Sequence, residues 1–322
     1  MKCGECPVTT AVDLKVSAAA PSTATVAALP TAKFLIVTWT EAETGALAKV
    51  LGQSKYHFTT GKENNFTPLV LKDLALPAGD PKPTCHGYFF QTEVNGASVV
   101  LLKSEYHPKA QPAASESFFE QVVGKAPHHY QFLITTGTSG GIWQIIDVGD
   151  VVVTNLARYG LTLSAEKQNM HFTGLANIKG SNPPAGSDSW YDYVNNHIID
   201  QDTCVISNLG AADGRKPASG KPKIYYQAPA GETTTVVTNS HITNDHIDEE
   251  SKNLDQYRKM GATLDENDAF VAEACQAIGF KNWVSIRNVS DLPTGPKDQY
   301  TTFGFCSSLN GAYAVWAFLM GH

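Results

Sequence analysis

The 322-residue sequence has few charged residues, no block of basic residues and no long apolar run. Charged residues make up 17% of it and the net charge is −7, which argues against a nucleic-acid partner. No apolar run reaches the ~18–20 residues of a membrane span. The N-terminus also lacks the apolar segment of a signal peptide. These absences predict a soluble, cytoplasmic protein that binds neither nucleic acid nor membrane.

Cysteine is also scarce, and of the six cysteines only Cys3 and Cys6 form a C-x-x-C pair. A zinc site would need a second pair or histidines at ligand spacing, and a thioredoxin-like site would need a βαβ context. The pair has neither, so we interpret it as free thiols. His246, with Asp245 and Asp248 near it, fits no standard set of metal ligands. The sequence therefore predicts no metal and no disulfide scaffold.

The sequence does contain apolar strand patterns that alternate with helical ones. Residues 1–32 are rich in Ala, Pro, Ser and Thr and are expected to form an arm or linker. Residues 33–322 are expected to form one domain, with a loop-rich insertion at about 165–230 around one helical patch. This alternation predicts an α/β sheet covered on both faces. The expected strands are 33–39, 98–103, 130–136, 149–160, 233–241 and 283–291, and the expected helices are 41–52, 116–125, 190–200, 268–279 and 311–321.

Polar side chains follow four of these strands at the point where each strand ends, which is where α/β sheets bind ligands. Glu43 follows the first strand, and Ser104 and His107 follow the second. The third runs into "TTGTSGG", which we expect to be a glycine turn, and the last ends in Arg287 and Asp291. Such a turn allows close approach of a ligand, although it is as often purely structural, and it is not a Walker A loop. The pattern predicts one shared cleft.

Several motifs resemble the nucleoside phosphorylase superfamily, especially its methylthioadenosine/S-adenosylhomocysteine nucleosidases and its purine and uridine phosphorylases. They are "FLIVTWTEAET", "VVLLKSE", "TTGTSGGI", "DVGDVVVTNLARYG", "DENDAFVAEAC" and "WVSIRNVSD". They occur in family order over most of 33–160 and 232–292. The resemblance implies a three-layer αβα sandwich with a central mixed β-sheet, a homo-oligomer without a cofactor, and cleavage of the N-ribosidic bond of a nucleoside.

The resemblance also implies roles for individual residues. The acid that assists departure of a purine at N7 corresponds to Asp291, which would need a pKa raised by a dry cleft. Arg287 corresponds to an arginine that helps hold either the nucleophile, which is water in the nucleosidases, or an acidic partner. Glu43 corresponds to the carboxylate that orients the nucleophilic water. A helix cap, a salt bridge and a favourable helix-dipole position are the structural alternatives for Asp291, Arg287 and Glu43 respectively. The expected contacts to the ligand are Ser104, Thr138, Ser139, Gly140, His241 and Ser290.

Two departures from the family pattern leave the substrate open. The family's Met-Glu pair, whose glutamate grips the ribose hydroxyls, is replaced by Glu266 and Asn267, and Asp265 and Asp268 are close enough to substitute. The family's Ser-Gly-x-Gly loop is replaced by "SEYHPK". In that loop His107 and Lys109 could bind an anion, His107 could do acid–base work, or the segment is a rigid surface turn.

The sequence favours hydrolysis over phosphorolysis, because Glu43 would repel phosphate and no clear set of arginines is present to hold it. Phosphate therefore stays open as a co-substrate. Two other interpretations also stay open. The two departures favour an enzyme of this fold with an unusual substrate, and the loss of the ribose-gripping glutamate favours a non-catalytic nucleoside-binding or storage protein. The presence of both Arg287 and Asp291 argues for an enzyme.

Overall fold

The computed structural model describes residues 16–18, 29–51, 66–71, 74, 85–199, 222–228, 239–244, 253–293, 295 and 299–322. The strands in this part of the chain are β1 Val16–Ala18, β2 Ala32–Thr38, β3 Thr67–Leu69, β4 Gly87–Val94, β5 Ala97–Ser104, β6 Tyr130–Gly141, β7 Val151–Thr154, β8 Leu156–Tyr159, β9 His171–Thr173, β10 Ile224–Tyr225, β11 His241–Thr243, β12 Thr263–Asp265 and β13 Trp283–Asp291. The helices are α1 Glu41–Leu51, α2 Ser115–Val123, α3 Ala165–Gln168, α4 Trp190–His197, α5 Leu254–Met260, α6 Asp268–Ala277 and α7 Gln299–Gly321.

Four parallel strands form the centre of the sheet, in the order β5-β2-β6-β13. Their side chains are apolar and β-branched over most of their length, and residues 34–37 of β2 are fully buried, as expected of strands covered on both faces. Antiparallel strands β4 and β7 flank the four, so the sheet is mixed. Because the central strands are parallel, their carboxyl ends meet at one edge.

Helices cover both faces of the sheet. Helices α1, α4 and α7 contribute to the core on one face, and α2 and α6 to the core on the other. The predicted sandwich with a central mixed sheet is confirmed. Among the described helices, α7 is the one that is long and apolar enough to cross a membrane, and 83% of its apolar window is buried inside the protein. It contacts α1 and β13, as the core helix of a globular domain does.

The predicted glycine turn is wrong, because residues 137–141 are extended and complete β6. They pair with β13 on one side, and Gly140 and Gly141 also pair with β12 on the other. The glycines are needed for close packing. A Cβ on Gly137 would lie 2.5 Å from a carboxylate oxygen of Glu43, and one on Gly141 would lie 2.8 Å from the Ile146 side chain.

Other predicted elements differ in extent. Residues 149–160 form two strands, β7 and β8, and α7 begins at Gln299, twelve residues before the predicted start. The predicted insertion contains α3, β9, α4 and β10 in its described part, and α4 adds buried side chains to the core. In the predicted arm, β1 pairs with β4. The Cys3–Cys6 pair, residues 245–250 and most of the predicted strand 233–241 lie outside the described residues.

Candidate active site

The ends of β2, β5, β6 and β13 lie together at one edge of the sheet. Arg287 of β13 is opposite Gly137 of β6, and Asp291 is opposite Gly140. The register shifts between Val289 and Asp291, which is the mark of a bulge. The polar residues that the sequence placed after separate strands are thus brought to a common edge.

Glu43 lies in the first turn of α1, and its carboxylate joins that helix to β6. Its Oε2 accepts hydrogen bonds from the backbone N–H groups of Trp39 and Thr40 at 3.0 and 2.9 Å. Its Oε1 accepts from the N–H and the Oγ1 of Thr138 at 2.8 and 3.0 Å. The residue is 4% exposed. These bonds occupy the roughly four lone-pair positions of a carboxylate, so Glu43 holds Thr138 and has little capacity left to orient a water molecule.

The charged centre of the site is a buried ion pair between Arg287 of β13 and Asp268, the first residue of α6. The Arg287 Nε donates to Asp268 Oδ2 at 2.8 Å, and Nη2 donates to Oδ1 at 2.5 Å. The third nitrogen, Nη1, donates to the carbonyl oxygen of Thr138 at 3.4 Å. The guanidinium carbon lies 5.3 Å from the ring centroid of Trp39. These contacts fix the plane of the guanidinium, since a bidentate carboxylate pair is geometrically specific.

Three more side chains donate to the Asp268 carboxylate. Thr135 Oγ1 bonds Oδ1 at 2.9 Å, Ser285 Oγ bonds Oδ2 at 2.5 Å, and His241 Nδ1 lies 2.9 Å from Oδ2. Because an ionised carboxylate only accepts, Nδ1 of His241 carries the proton of this bond. Asp268 is 1% exposed and His241 is fully buried. Both residues were predicted to contact the ligand, and the structure places them beneath the strand edge, bound to other protein groups.

The electrostatics of this cluster follow from burial and pairing. Burial alone would raise the pKa of Asp268, but the Arg287 charge and the hydrogen bonds of Arg287 and His241 outweigh it and hold the pKa below its usual range. Burial alone would lower the pKa of Arg287. The charge of Asp268 outweighs the effect of burial, so the pKa of Arg287 is raised. Burial lowers the pKa of His241 against the pull of Asp268, so its ring is neutral near pH 7.

Asp265, at the end of β12, caps the start of α6. Its Oδ1 accepts from the N–H groups of Asn267 and Asp268 at 2.7 and 2.8 Å and from Thr243 Oγ1 at 3.0 Å. Its Oδ2 is buried and has no hydrogen-bond partner in the described part of the chain. Burial, followed by the charge of Asp268, raises the pKa of Asp265 to about 7. The cap fixes the backbone that carries Asp268.

One group of side chains has the residue types of a metal site. His241, Asp265 and Asp268 each offer a ligand atom, and the three atoms lie within 4.8 Å of one another. A divalent cation does not fit them, because the Asp268 oxygens already accept five hydrogen bonds. Arg287 also supplies the positive charge that would balance the carboxylate. The positive charge that balances the Asp268 carboxylate is therefore that of Arg287 and not that of a metal ion.

Asp291 ends β13 and is half-buried. Its Oδ1 accepts a hydrogen bond from Ser290 Oγ at 2.5 Å. Its Oδ2 faces Gly140, where a Cβ would lie 3.7 Å away. Burial raises the pKa of Asp291, and the Ser290 hydrogen bond opposes the shift. A carboxyl group in this condition can hold a proton closer to neutrality, as a general acid requires.

The predicted serines bind backbone groups of the strands that carry them. Ser290 Oγ donates to the Ser139 carbonyl at 3.4 Å, and Ser139 Oγ donates to the Asn288 carbonyl at 3.3 Å, so these serines tie β6 to β13. Ser104 is buried, and its Oγ donates to the Tyr106 carbonyl at 2.7 Å and accepts from the Tyr106 N–H at 3.0 Å. That pair of bonds closes the turn after β5.

The "SEYHPK" loop lies beside the start of α6. Lys109 forms an ion pair with Glu266, which joins the loop to the helix start. The His107 side chain is exposed, and the charges of Lys103, Glu43 and Glu266 act on it. The loop therefore borders the site, and the Glu266 carboxylate is paired with Lys109. Among the candidates for gripping a sugar, Asn267 differs, since its buried Oδ1 has no partner among the described residues.

Sequence reasoning missed three polar residues of this site. Tyr300 lies in the first turn of α7 and is 42% exposed. Burial, followed by the charge of Glu43, raises the pKa of its hydroxyl, and Thr40 and Thr138 oppose the shift. Nothing in the sequence marks it, because α7 was expected to start later. Thr135 and Ser285 do have a signal. Each is a polar residue inside a buried apolar strand, and the two are register partners in β6 and β13.

Comparison with solved structures shows the fold. A methylthioadenosine/S-adenosylhomocysteine nucleosidase from Colwellia psychrerythraea 34H, crystallised with adenine, has a TM-score of 0.52 and 17% identity, over 90% of this chain and 96% of that one. The Neisseria meningitidis nucleosidase, in complex with methylthio-immucillin-A, has a TM-score of 0.52 and 15% identity, over 88% and 97%. Futalosine hydrolase of Helicobacter pylori strain 26695 has a TM-score of 0.53 and 11% identity, over 89% and 97%.

No protein-family model matches the sequence, and no curated protein matches it significantly. Nucleosidases and futalosine hydrolase, at 10–17% identity, are among the solved structures that are similar to this chain. The predicted resemblance to the nucleoside phosphorylase superfamily is therefore confirmed at the level of the fold.

Proposed function

We propose that the protein hydrolyses the N-glycosidic bond of a purine nucleoside or a related nucleoside, with Asp291 as the acid that assists departure of the base. The Asp291 carboxyl carries this proposal. It is half-buried at the strand edge, has a raised pKa and faces the bare backbone of Gly140. The fold adds support, because it is shared with nucleosidases, one of which was crystallised with adenine.

The proposed step is balanced without a cofactor. Asp291 gives its proton to N7 of the base while the bond between the base nitrogen and C1′ breaks and its electrons pass to the base. Water adds to the oxocarbenium-like C1′ and releases a proton to solvent, from which the Asp291 carboxylate regains one, so the products are free base and free sugar. Hydrolysis is favoured over phosphorolysis because Arg287, the arginine at this edge, is paired with Asp268 and is not available to hold phosphate.

One observation favours a second candidate, a protein that binds a nucleoside without cleaving it. The Glu43 carboxylate, expected to orient the attacking water, already accepts four hydrogen bonds from protein groups. Without a group that orients water, the site could hold a base against Asp291 and stop there. The two candidates differ in whether free base is ever released.

The test is to incubate the protein with purine and pyrimidine nucleosides, with and without phosphate, and to measure free base. We expect release from a purine nucleoside without phosphate. Asp291→Asn should lower kcat by roughly 10²–10⁴-fold, the usual contribution of general acid catalysis. Asp192→Asn is a matched control, since Asp192 is also half-buried and also accepts from a neighbouring serine, Ser189. It lies in α4, so kcat should not change.

Each outcome selects one function. Strict dependence on phosphate would make the reaction a phosphorolysis. Binding of nucleoside in a calorimeter without release of base would favour the binding protein. Equal kcat for Asp291→Asn and the wild-type protein would remove Asp291 from the mechanism.

Homo-oligomeric assembly and a cytoplasmic location stay predictions, and we propose only the assembly together with the activity. Light scattering coupled to gel filtration gives the oligomeric state directly. Cys306 of α7 is disulfide-bonded, and such bonds persist in oxidising compartments, so this residue argues against the cytoplasm. Cys85 and Cys275 are free thiols.

A further inference from the structure

A chain of hydrogen bonds runs from the buried face of the sheet to its edge. His241 donates to Asp268, and Asp268 accepts two bonds from Arg287. Arg287 uses its remaining nitrogen to bond the Thr138 carbonyl at 3.4 Å. Each link joins a different element, namely β11, α6, β13 and β6. The chain thus connects β11 and helix α6 to the paired strands β13 and β6.

The end of this chain is the strand segment that faces the proposed acid. Thr138 opens the segment 138–140 of β6, which pairs with β13 from Asn288 to Asp291. Gly140 is the residue opposite Asp291. The position of Thr138 therefore sets where the backbone of Gly140 stands relative to the Asp291 carboxyl, and with it the space for a base.

We propose that Asp268 and His241 are positioning residues, which hold Arg287, and through it segment 138–140, against Asp291 without touching the nucleoside. This inference rests on the proposed function. The sequence analysis predicted ligand contact for both residues, for His241 from the resemblance and for Asp268 as a substitute for the family's glutamate. Their burial and their bonds to protein groups argue otherwise, because Asp268 accepts five hydrogen bonds and has no lone pair left for a sugar hydroxyl.

A positioning role predicts that loss of Asp268 lowers the rate of bond cleavage and leaves the binding of the nucleoside nearly unchanged. Removing the Asp268 charge leaves the buried Arg287 guanidinium without its counter-charge, so the guanidinium must shift. A displacement of about 1 Å in a group that shapes an active site can lower the rate by about 10²-fold. Binding of the nucleoside should change little, because neither Asp268 nor His241 contacts it. A residue that grips the sugar would behave differently, since its loss raises KM.

The test measures kcat and KM of Asp268→Asn for the best nucleoside and for its 2′-deoxy and 3′-deoxy forms. We expect kcat to fall by roughly 10- to 100-fold and KM to change by less than about 3-fold. Loss of a sugar hydroxyl and loss of the Asp268 charge should act independently, so that their effects on kcat/KM multiply. If Asp268→Asn has a much smaller effect on a deoxy substrate than on the full nucleoside, Asp268 contacts that hydroxyl and the inference is wrong.

His241 gives a second, independent test. His241→Asn keeps an N–H donor near the position of Nδ1 and should keep kcat within about 3-fold. His241→Leu removes the donor and should lower kcat by about 10-fold. Equal effects of the two variants would contradict a positioning role for the His241 bond. If Asp268→Asn does not fold, this pair of variants decides the matter.

Asp150→Asn is the control for general loss of stability. Asp150 is as buried as Asp268, and it accepts from the N–H groups of Asp147 and Lys223 instead of from Arg287. Its variant should change the stability of the protein while kcat of the folded protein is unchanged. An equal loss of kcat in Asp150→Asn and Asp268→Asn would reduce Asp268 to a structural residue. Absence of base release by the wild-type protein would count against the proposed function itself.

Discussion

Single residues at the strand edge are held by partners that lie far away along the chain. Glu43 and Thr138 are 95 positions apart, and Thr135 and Asp268 are 133 apart. A buried carboxylate without donors would be costly, so each one here collects hydrogen bonds from the elements around it. The result is a rigid group of side chains in which small changes of volume have large effects.

Gly137→Ala tests this rigidity. The new Cβ would lie 2.5 Å from Oε1 of Glu43 and 2.6 Å from its Cδ, so the carboxylate must move away from Thr138. We expect a loss of about 1–3 kcal/mol in the free energy of unfolding, as for other overpacked sites, measured by urea denaturation. We also expect slower base release.

The matched control is Gly45→Ala in α1. A Cβ there meets Phe305 at 3.7 Å, an ordinary contact. Alanine also favours the helix, so stability should rise by about 0.5–1 kcal/mol. Wild-type stability in Gly137→Ala would show that the Glu43 carboxylate is not confined as described.

At the scale of elements, the start of α6 decides where Asp268 lies. Asn267, the residue before the helix, makes no side-chain cap. Asp265 of β12 supplies the cap instead, through bonds to two backbone N–H groups of the first turn. Asp265 of β12 thus fixes the backbone at the start of α6. The ion pair between Asp268 and Arg287 ties the same helix start to β13.

Replacing Asp265 tests the cap. Asp265→Ala removes the acceptor, and we expect a loss of about 0.5–2 kcal/mol in the free energy of unfolding. Asp265→Asn keeps an acceptor oxygen and should lose less. Chemical denaturation at pH 6 makes the comparison fair, because the raised pKa of Asp265, about 7, leaves the carboxyl largely neutral there. Similar losses in both variants would contradict the assigned cap.

At the scale of the whole molecule, buried acids make stability depend on pH. Burial raises the pKa of Asp150 to about 8, against the hydrogen bonds from Asp147 and Lys223. An unfolded aspartate titrates near ~4, so between about pH 4 and pH 8 the folded state holds a proton that the unfolded state has lost. Stability contributed by Asp150 therefore falls as the pH rises through this window.

Asp150→Asn isolates that contribution, because the histidines titrate alike in both proteins. The stability of the wild-type protein relative to the variant should fall by about 1.4 kcal/mol per pH unit between about pH 5 and pH 7, and less steeply near pH 8. Urea denaturation of both proteins at four pH values gives the slope. A difference that does not vary with pH would mean that Asp150 titrates normally in the folded protein.

Local signals in the sequence were sufficient for much of the fold. The strand predicted at 283–291 matches β13, Trp283–Asp291, because a β-branched apolar run between polar ends has few alternatives. The helix predicted at 268–279 is α6 with its stop at Gly279, which has a positive φ of 74°. Parallel topology then placed Arg287 and Asp291 at the same edge as Glu43, as the sequence predicted.

The sequence by itself determined the strands, the helices and the polar residues that end the strands, since these depend on neighbours along the chain. Only the tertiary structure decided which groups those residues bind. Asp268 pairs with Arg287, and Glu43 accepts hydrogen bonds from Thr138, because burying a charge requires a partner and the nearest partner depends on packing. For the same reason the glycines of "TTGTSGG" were mistaken for a turn. The Glu43 carboxylate, which needs the space at Gly137, and the Ile146 side chain, which needs the space at Gly141, come from other parts of the chain.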